Sequence, residues 1–208
     1  MTTDQRPDDE TLWRRAAEGD DDAFAEIYRR HADRIHGYLF RRCASWAQAQ
    51  DLTSIVFLEA WRRRREVSFD GGSVAGWLYG VAGNVLRSSD RSLRRYQGAL
   101  RRLPALRDEP DVADDVAHRV DDEARMAVVA RALERLPADD RELLSLSAWS
   151  DLSLTEIAAI LDLPLGTVKS RLSRLRARLR DDALPPDGAT PAPSATSAPP
   201  PRPLGAPR

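Results

Sequence analysis

The chain has 208 residues, enough for two modest domains and a linker, with 42% apolar, 31% charged and 6% aromatic content. That composition fits a soluble helical protein, and no apolar run approaches the roughly 20 residues that span a bilayer. One cysteine, Cys43, rules out an internal disulfide, and the net charge of −1 excludes a uniformly basic nucleic-acid binder.

The charge is nevertheless segregated. Arginines crowd Arg62 to Arg65, Arg87 to Arg107 and Arg171 to Arg180, whereas Asp108 to Glu123 holds eight acids against Arg119. Lys169 is the only lysine, a bias that points to genome composition rather than mechanism. Met1 to Asp9 is polar and acidic without an apolar signal core, so the expected location is cytoplasmic with no membrane insertion.

In chain order, Glu10 to Glu18 predicts a short helix carrying Leu12, Trp13 and Ala16. A longer helix runs from about Asp20 to about Cys43, with Asp20 or Asp21 as its N-cap and Phe24, Ile27, Tyr28, His31, Ile35, Tyr38 and Leu39 on one face. The next spans about Ala47 to Arg65 and should bury Leu52, Ile55 and Val56, with Phe57 and Trp61 beside them. Its four terminal arginines suit the negative end of the helix dipole. Phe69-Asp70-Gly71-Gly72 breaks the pattern, and Ser73 caps a helix on which Val74, Trp77, Leu78, Val81, Ala82, Val85 and Leu86 share a side. Trp77 reads as core. These elements form a first domain over residues 10–96.

Residues 97–122 lose periodicity, contain Pro104 and Pro110 and turn acidic, as a linker does. A second domain, 123–182, opens with a helix carrying Met126, Val129, Leu133 and Leu136 that stops at Pro137. Asp139 and Asp140 begin another, with Leu143, Leu144, Leu146 and Trp149. Ser153-Leu154-Thr155-Glu156 is a capping box opening a helix to about Leu161. Asp162 to Gly166 makes a glycine-containing turn into a last helix, Thr167 to about Arg180, completing a helix-turn-helix pattern. Residues 183–208 form a Pro-rich tail expected to be disordered or extended. The fold class is therefore all-α: two small helical domains, a flexible acidic linker and a tail.

At 100° per residue, Val168, Leu172, Leu175 and Leu179 fall in one sector of the last helix, and Ser170, Ser173 and Arg174 point away from it. Six positive charges and no acid lie between Thr167 and Arg180. Short polar groups and a placed arginine suit base edges, and flanking Lys169, Arg171 and Arg176 suit phosphates, which is what entry into a major groove needs. The bland reading is a solvated basic helix closing a domain.

Leu136-Pro137 through Arg180, above all Leu154-Thr155-Glu156-Ile157-Ala158 and Gly166-Thr167-Val168-Lys169-Ser170-Arg171-Leu172, resembles region 4 of the extracytoplasmic-function sigma factors of the sigma-70 family. Gly19-Asp20 with Ala23-Phe24, Asp51-Leu52-Thr53 with Val56-Phe57-Leu58 and Ala60-Trp61, and Trp77-Leu78 with Asn84 resemble region 2. The resemblance covers Leu12 to Arg95 and Glu123 to Arg180, both blocks in family order.

The resemblance implies a factor that binds core RNA polymerase and selects promoters. Region 2 would meet the minus-ten element and region 4 the minus-thirty-five element. The Asp51 to Arg65 helix would dock on the clamp helices of the largest polymerase subunit through Asp51, Ser54, Glu59 and Arg62, and region 4 would meet the flap of the second-largest subunit. Ser54 and Ile55 depart from the family, which favours polar or acidic residues there. The loop Phe69 to Val74 and Asn84 would hold a flipped base, with Arg87, Arg91, Arg94 and Arg95 near phosphate. Gly83 is unusual, because Arg or a larger residue commonly precedes that asparagine. On the recognition helix, Thr167, Lys169, Ser170, Arg171, Ser173, Arg174 and Arg176 would touch DNA. The acidic linker would thread the positively lined channel toward the RNA exit. The resemblance also implies an anti-sigma partner.

Enzyme readings find no support in the pattern: there is no Walker loop, no GxSxG and no Cys/His metal spacing, so no cofactor or metal is expected. His31, His36 and Cys43 read as packing and surface residues. The competing functional readings are a stand-alone helix-turn-helix regulator with an amino-terminal sensor or dimerisation bundle, and a helical adaptor that binds only protein.

Overall fold

The computed structural model describes residues 7–69, 72–100 and 116–183, with side chains described over 7–69, 72–89 and 120–180. Eight helices lie among these residues: α1 (Asp9–Ala17), α2 (Asp21–Cys43), α3 (Trp46–Arg63), α4 (Val74–Leu100), α5 (Val116–Glu134), α6 (Ala138–Trp149), α7 (Leu154–Ile160) and α8 (Leu165–Ala183). The expected disordered tail lies outside the described residues.

The starts follow from capping chemistry. Asp8, Asp20 and Ser45 each accept a backbone N–H from the third residue on, which satisfies a donor that the helix leaves open. Hydrogen bonds from those capped turns hold the Asp8 and Asp20 carboxyls below the usual carboxylate value. Between α2 and α3, Ala44 adopts a left-handed conformation (φ 53°), which turns the chain within two residues.

The first bundle packs α2 against α1, α3 and α4. Ile27, Ile35, Tyr38, Leu39, Val56 and Leu78 are essentially inaccessible and form its centre. Burying each such side chain contributes about 1.5–3 kcal/mol. An aromatic group closes one end: Trp13 meets Phe69 and Trp77 edge-on at 5.2 Å, and its indole N–H donates to the Val67 carbonyl at 3.1 Å. Trp13 thereby ties down the segment leading into α4.

The four arginines after Trp61 are not one solvated cluster. The Arg64 guanidinium lies 3.5 Å over the Trp61 ring and donates to the Ala16 carbonyl at 3.1 Å, joining α3 to α1. His31 pairs with Asp9 at 2.7 Å, and His36 stacks on Trp46.

The second group is α6, α7 and α8, centred on Leu143, Leu146, Ile157 and Val168. α5 packs on α2 as well as on α6, so it spans both groups. The segment expected as a linker over 97–122 is helical at both ends, since α4 continues to Leu100 and α5 begins at Val116. Past Pro110 nothing in the sequence breaks a helix, and acids ahead of a helix suit its positive end. The acidic stretch is thus partly helix; residues 101–115 lie outside the description.

Three other expectations are corrected. Ile55 is 48% exposed rather than buried, because α3 turns Leu52, Val56 and Ala60 inward and Ile55 falls on the opposite side. Tyr28, expected in the core face, is 46% exposed and packs only one side against Phe57. The turn before α8 does not use its glycine: Asp162 carries the positive φ (51°), and α8 begins at Leu165, so Gly166 is helical. Pro164 supplies the carbonyl that opens this helix, accepting from Thr167 and Val168.

Candidate nucleic-acid interface

α7 begins with the capping box read from sequence. Ser153 Oγ accepts the Glu156 N–H at 3.2 Å, and the Glu156 carboxylate accepts the Ser153 N–H at 2.8 Å. α8 then buries Val168, Leu172 and Leu175, while Leu179, expected in the same stripe, is 41% exposed. The opposite face presents Lys169, Ser170, Ser173, Arg174, Arg176, Arg178 and Arg180 to solvent, with Thr167 and Arg171 half-buried at its edge.

This face is pre-set by local bonds. Ser170 Oγ donates to the Thr167 carbonyl at 3.1 Å, and Arg174 reaches back to the Ser170 carbonyl at 3.4 Å. Arg176 instead donates to Ser147 Oγ on α6 at 3.2 Å, so it sits at the side of the helix, away from Ser170 and Arg174. A protruding cationic face with short hydroxyls at its middle has the chemistry of a major-groove reader.

On the first bundle, Ser73 caps α4 by accepting the Gly76 N–H at 3.0 Å. Asn84 is exposed about three turns beyond that cap, its Oδ1 accepting from Arg87 at 2.7 Å. Gly72, Ser73, Trp77 and Asn84 line a cavity of about 510 Å³, and Thr155, Glu156 and Ile160 of α7 form its other wall. Trp77, expected in the core, is half-buried: it packs on Trp13 and also lines this cavity. The backbone of Arg91 lies in α4, but its side chain is outside the described residues, as are those of Arg94 and Arg95. Asp70 and Gly71 are also outside.

The exposed side of α3 gathers Asp51, Ser54, Ile55, Leu58 and Arg62 within one helical face. Glu59 is at its edge and pairs with Arg63 at 2.7 Å. The middle of this face is apolar: Leu58, like Ile55, is 48% exposed. The charged residues proposed from sequence therefore frame two aliphatic side chains that sequence reasoning had not placed at the surface. Their three-residue separation was the available signal, but the four-residue separation of Leu52 and Val56 is an equally good helical spacing.

One further residue was missed, and a second, Glu156, was read only as the capping-box acid. Glu142, on α6, is buried between the groups: its carboxylate accepts from Tyr38 Oη at 3.2 Å and from Arg42 Nη1 at 3.0 Å. Burial, with the negative charge of Glu142, pushes the Tyr38 hydroxyl far above its ordinary value, so it remains a donor. Burial works against the Arg42 charge, but Tyr38 and Glu142 outweigh it and hold its pKa up. Glu156 accepts from Ser73 Oγ at 2.6 Å, and that bond, with those from Ser153, holds its carboxyl below the usual value of 4.5.

Fold and surfaces together define an all-helical DNA-binding factor with a helix-turn-helix module and a second, α4-based module. Family comparison agrees. Residues 27–97 match sigma-70 region 2, and residues 126–179 match sigma-70 region 4. The chain is 32% identical over 165 residues to the ECF RNA polymerase sigma factor RpoE of Cereibacter sphaeroides, covering 77% of this chain and 86% of that one. It is 30% identical over 176 residues to SigK of Mycobacterium tuberculosis, covering 83% and 91% respectively. Among solved structures, CnrH in complex with the cytosolic domain of CnrY has a TM-score of 0.63 at 24% identity, covering 84% of this chain and 96% of that one. RpoE of Bartonella quintana, in complex with the anti-sigma factor NepR, has a TM-score of 0.55 at 23% identity, covering 76% and 94%. The chain belongs to the sigma-70 family, in its extracytoplasmic-function group. It is a sigma factor, an initiation factor that directs promoter-specific transcription.

Proposed function

We propose a division of labour within that role. The module around α4, residues 10–96, reads the minus-ten element with Asn84 and the Ser73 end of the helix, and Arg87 and Arg91 meet phosphate. The module of residues 123–182 reads the minus-thirty-five element with Ser170, Ser173 and Arg174 on bases and Thr167, Lys169, Arg171 and Arg176 on the backbone. α3 docks on the clamp helices of core polymerase through Ile55 and Leu58, framed by Asp51, Ser54, Glu59 and Arg62, and the second module meets the flap.

The observation that carries this reading is the outer face of α8: cations and short hydroxyls project from a helix anchored by Val168, Leu172 and Leu175. An all-cationic face with hydroxyls at its centre reads bases and phosphates together. The factor works in the cytoplasm without chemistry of its own; among the described residues no helix is long and apolar enough to cross a membrane. The anti-sigma factor named in the Bartonella quintana complex supports an anti-sigma partner here as well.

Reconstituted transcription tests the reading. Core polymerase with this protein should start transcripts at discrete promoters across genomic templates, and the protein alone should retard no specific duplex. Tight sequence-specific binding by the isolated chain, with no transcript in the presence of core, would overturn it.

A further inference from the structure

Four acidic side chains of the second module, Glu123, Glu142, Asp151 and Glu156, contact the first. Glu142 of α6 enters the first bundle and meets Tyr38 and Arg42 of α2, with Arg87 of α4 at 3.7 Å. Ser73 of α4 donates to Glu156 of α7 at 2.6 Å. Arg34 pairs with Asp151 at 3.3 Å, and the Trp46 N–H donates to Glu123 at 2.7 Å. The Arg34 pair is exposed and contributes little. The Arg42–Glu142 pair is different: its side chains are 7% and 5% exposed. Neither charge is tolerable there without the other, because desolvation is costly for a lone buried ion.

The seat for that carboxylate is Gly83. A Cβ at position 83 would overlap Glu142 Oε1 and come within 3.3 Å of its Cδ. That same Oε1 accepts from Tyr38 and Oε2 accepts from Arg42, so the carboxylate is tethered and has little room to retreat. Gly80, one turn earlier and likewise facing the second module, is not under this constraint: a Cβ there would meet Ile160 at an ordinary 3.8 Å.

We propose that Gly83 and Glu142 form a latch that holds the free protein in a closed state in which it cannot read a promoter. The inference rests on the assignment of α4 and the helix-turn-helix as the two promoter readers. In the closed state α7 walls the cavity onto which Asn84 opens, and the Ser73 hydroxyl is spent on Glu156. A strand entering there would meet the Glu156 charge, which repels phosphate. α7 is the helix that crosses the DNA backbone in this motif, and its first turn is held on α4. Elements centred near minus ten and minus thirty-five lie roughly 25 base pairs apart, about 85 Å at 3.4 Å per step, which packed modules cannot span. The α3 face stays exposed throughout, so polymerase can engage the closed form and draw the modules apart.

Distances between spin labels carried by ketone-bearing amino acids at exposed positions 22 (α2) and 148 (α6) test the latch in the free full chain. The native chain should give one narrow, short population. Gly83→Ala and Glu142→Gln should each lower the ratio of short to long distances by roughly tenfold or more. Gly80→Ala should not. Far-ultraviolet circular dichroism confirms that each variant is folded, and the isosteric Glu142→Gln serves if Gly83→Ala does not fold. Adding core polymerase to the native chain should abolish the short population. A native-like distribution in both latch variants, or a broad one in the native chain, overturns the latch while leaving transcription untouched. Loss of promoter-specific transcription with these distances as expected would instead overturn the promoter assignment.

Discussion

The α3 face gives the most quantitative expectation. Ile55 and Leu58 are each 48% exposed, so docking on a partner helix would cover about half of each side chain. Complete burial of such a side chain contributes about 1.5–3 kcal/mol, so covering half of each yields roughly 1.5–3 kcal/mol for the pair. At 1.4 kcal/mol per decade, removing both should weaken core binding by about tenfold to a hundredfold. Because neither residue supports the fold, the double variant Ile55→Ala/Leu58→Ala should unfold within about 1 kcal/mol of the native protein. Leu52→Ala, on the buried side of the same helix, should cost about 2–5 kcal/mol of stability. Fluorescence titration with core polymerase gives the affinities, and urea denaturation gives the stabilities. Native affinity in a folded double variant would show that polymerase does not dock on this face.

Three other expectations follow from the same geometry. Arg174→Ala should weaken recognition of the minus-thirty-five element by about 1–3 kcal/mol with the fold intact, measured by transcription from promoters varied in that element; unchanged preference removes Arg174 from the reading set. Asn84→Ala should slow promoter opening, followed by permanganate reactivity of unpaired thymines, while leaving core affinity native; loss of core affinity would place Asn84 on a different surface. Glu156 has its folded pKa depressed by Ser73 and Ser153, so the unfolded chain binds the proton more readily. Its contribution to stability is complete above the ordinary value of 4.5 and is lost as pH falls through the lower folded value. The gap in melting temperature between the native chain and Glu156→Gln should therefore close on acidification, and a gap that widens would contradict the assignment.

Much was legible along the chain because it was local. Capping at Asp20, Ser73 and Ser153 depends on a side chain and an amide three residues away, so the helix starts could be read with no knowledge of the fold. The α8 stripe of Val168, Leu172 and Leu175 and its polar back follow from 3.6 residues per turn. The motif residues at both ends were enough to indicate the family.

Periodicity failed where two faces of one helix are both apolar. On α3 the rows Leu52–Val56 and Ile55–Leu58 are equally good helical stripes, and only packing against α2 and α4 decides that the first is inside. Turn chemistry misled at Gly166, because the left-handed residue there is Asp162 and Pro164 starts the helix.

The sequence by itself determined the order of the helices, the caps at Ser73 and Ser153, the cationic reading helix and the family, since each depends on residues within a few turns of one another. The tertiary structure alone decided that Ile55 and Leu58 face outward, that Trp13 anchors the approach to α4, and that Glu142 is buried beside Gly83. The physical reason is distance along the chain. Glu142 lies 100 residues from Arg42 and 104 from Tyr38, and no local rule marks a carboxylate in an amphipathic helix as the one whose charge will be matched inside another module.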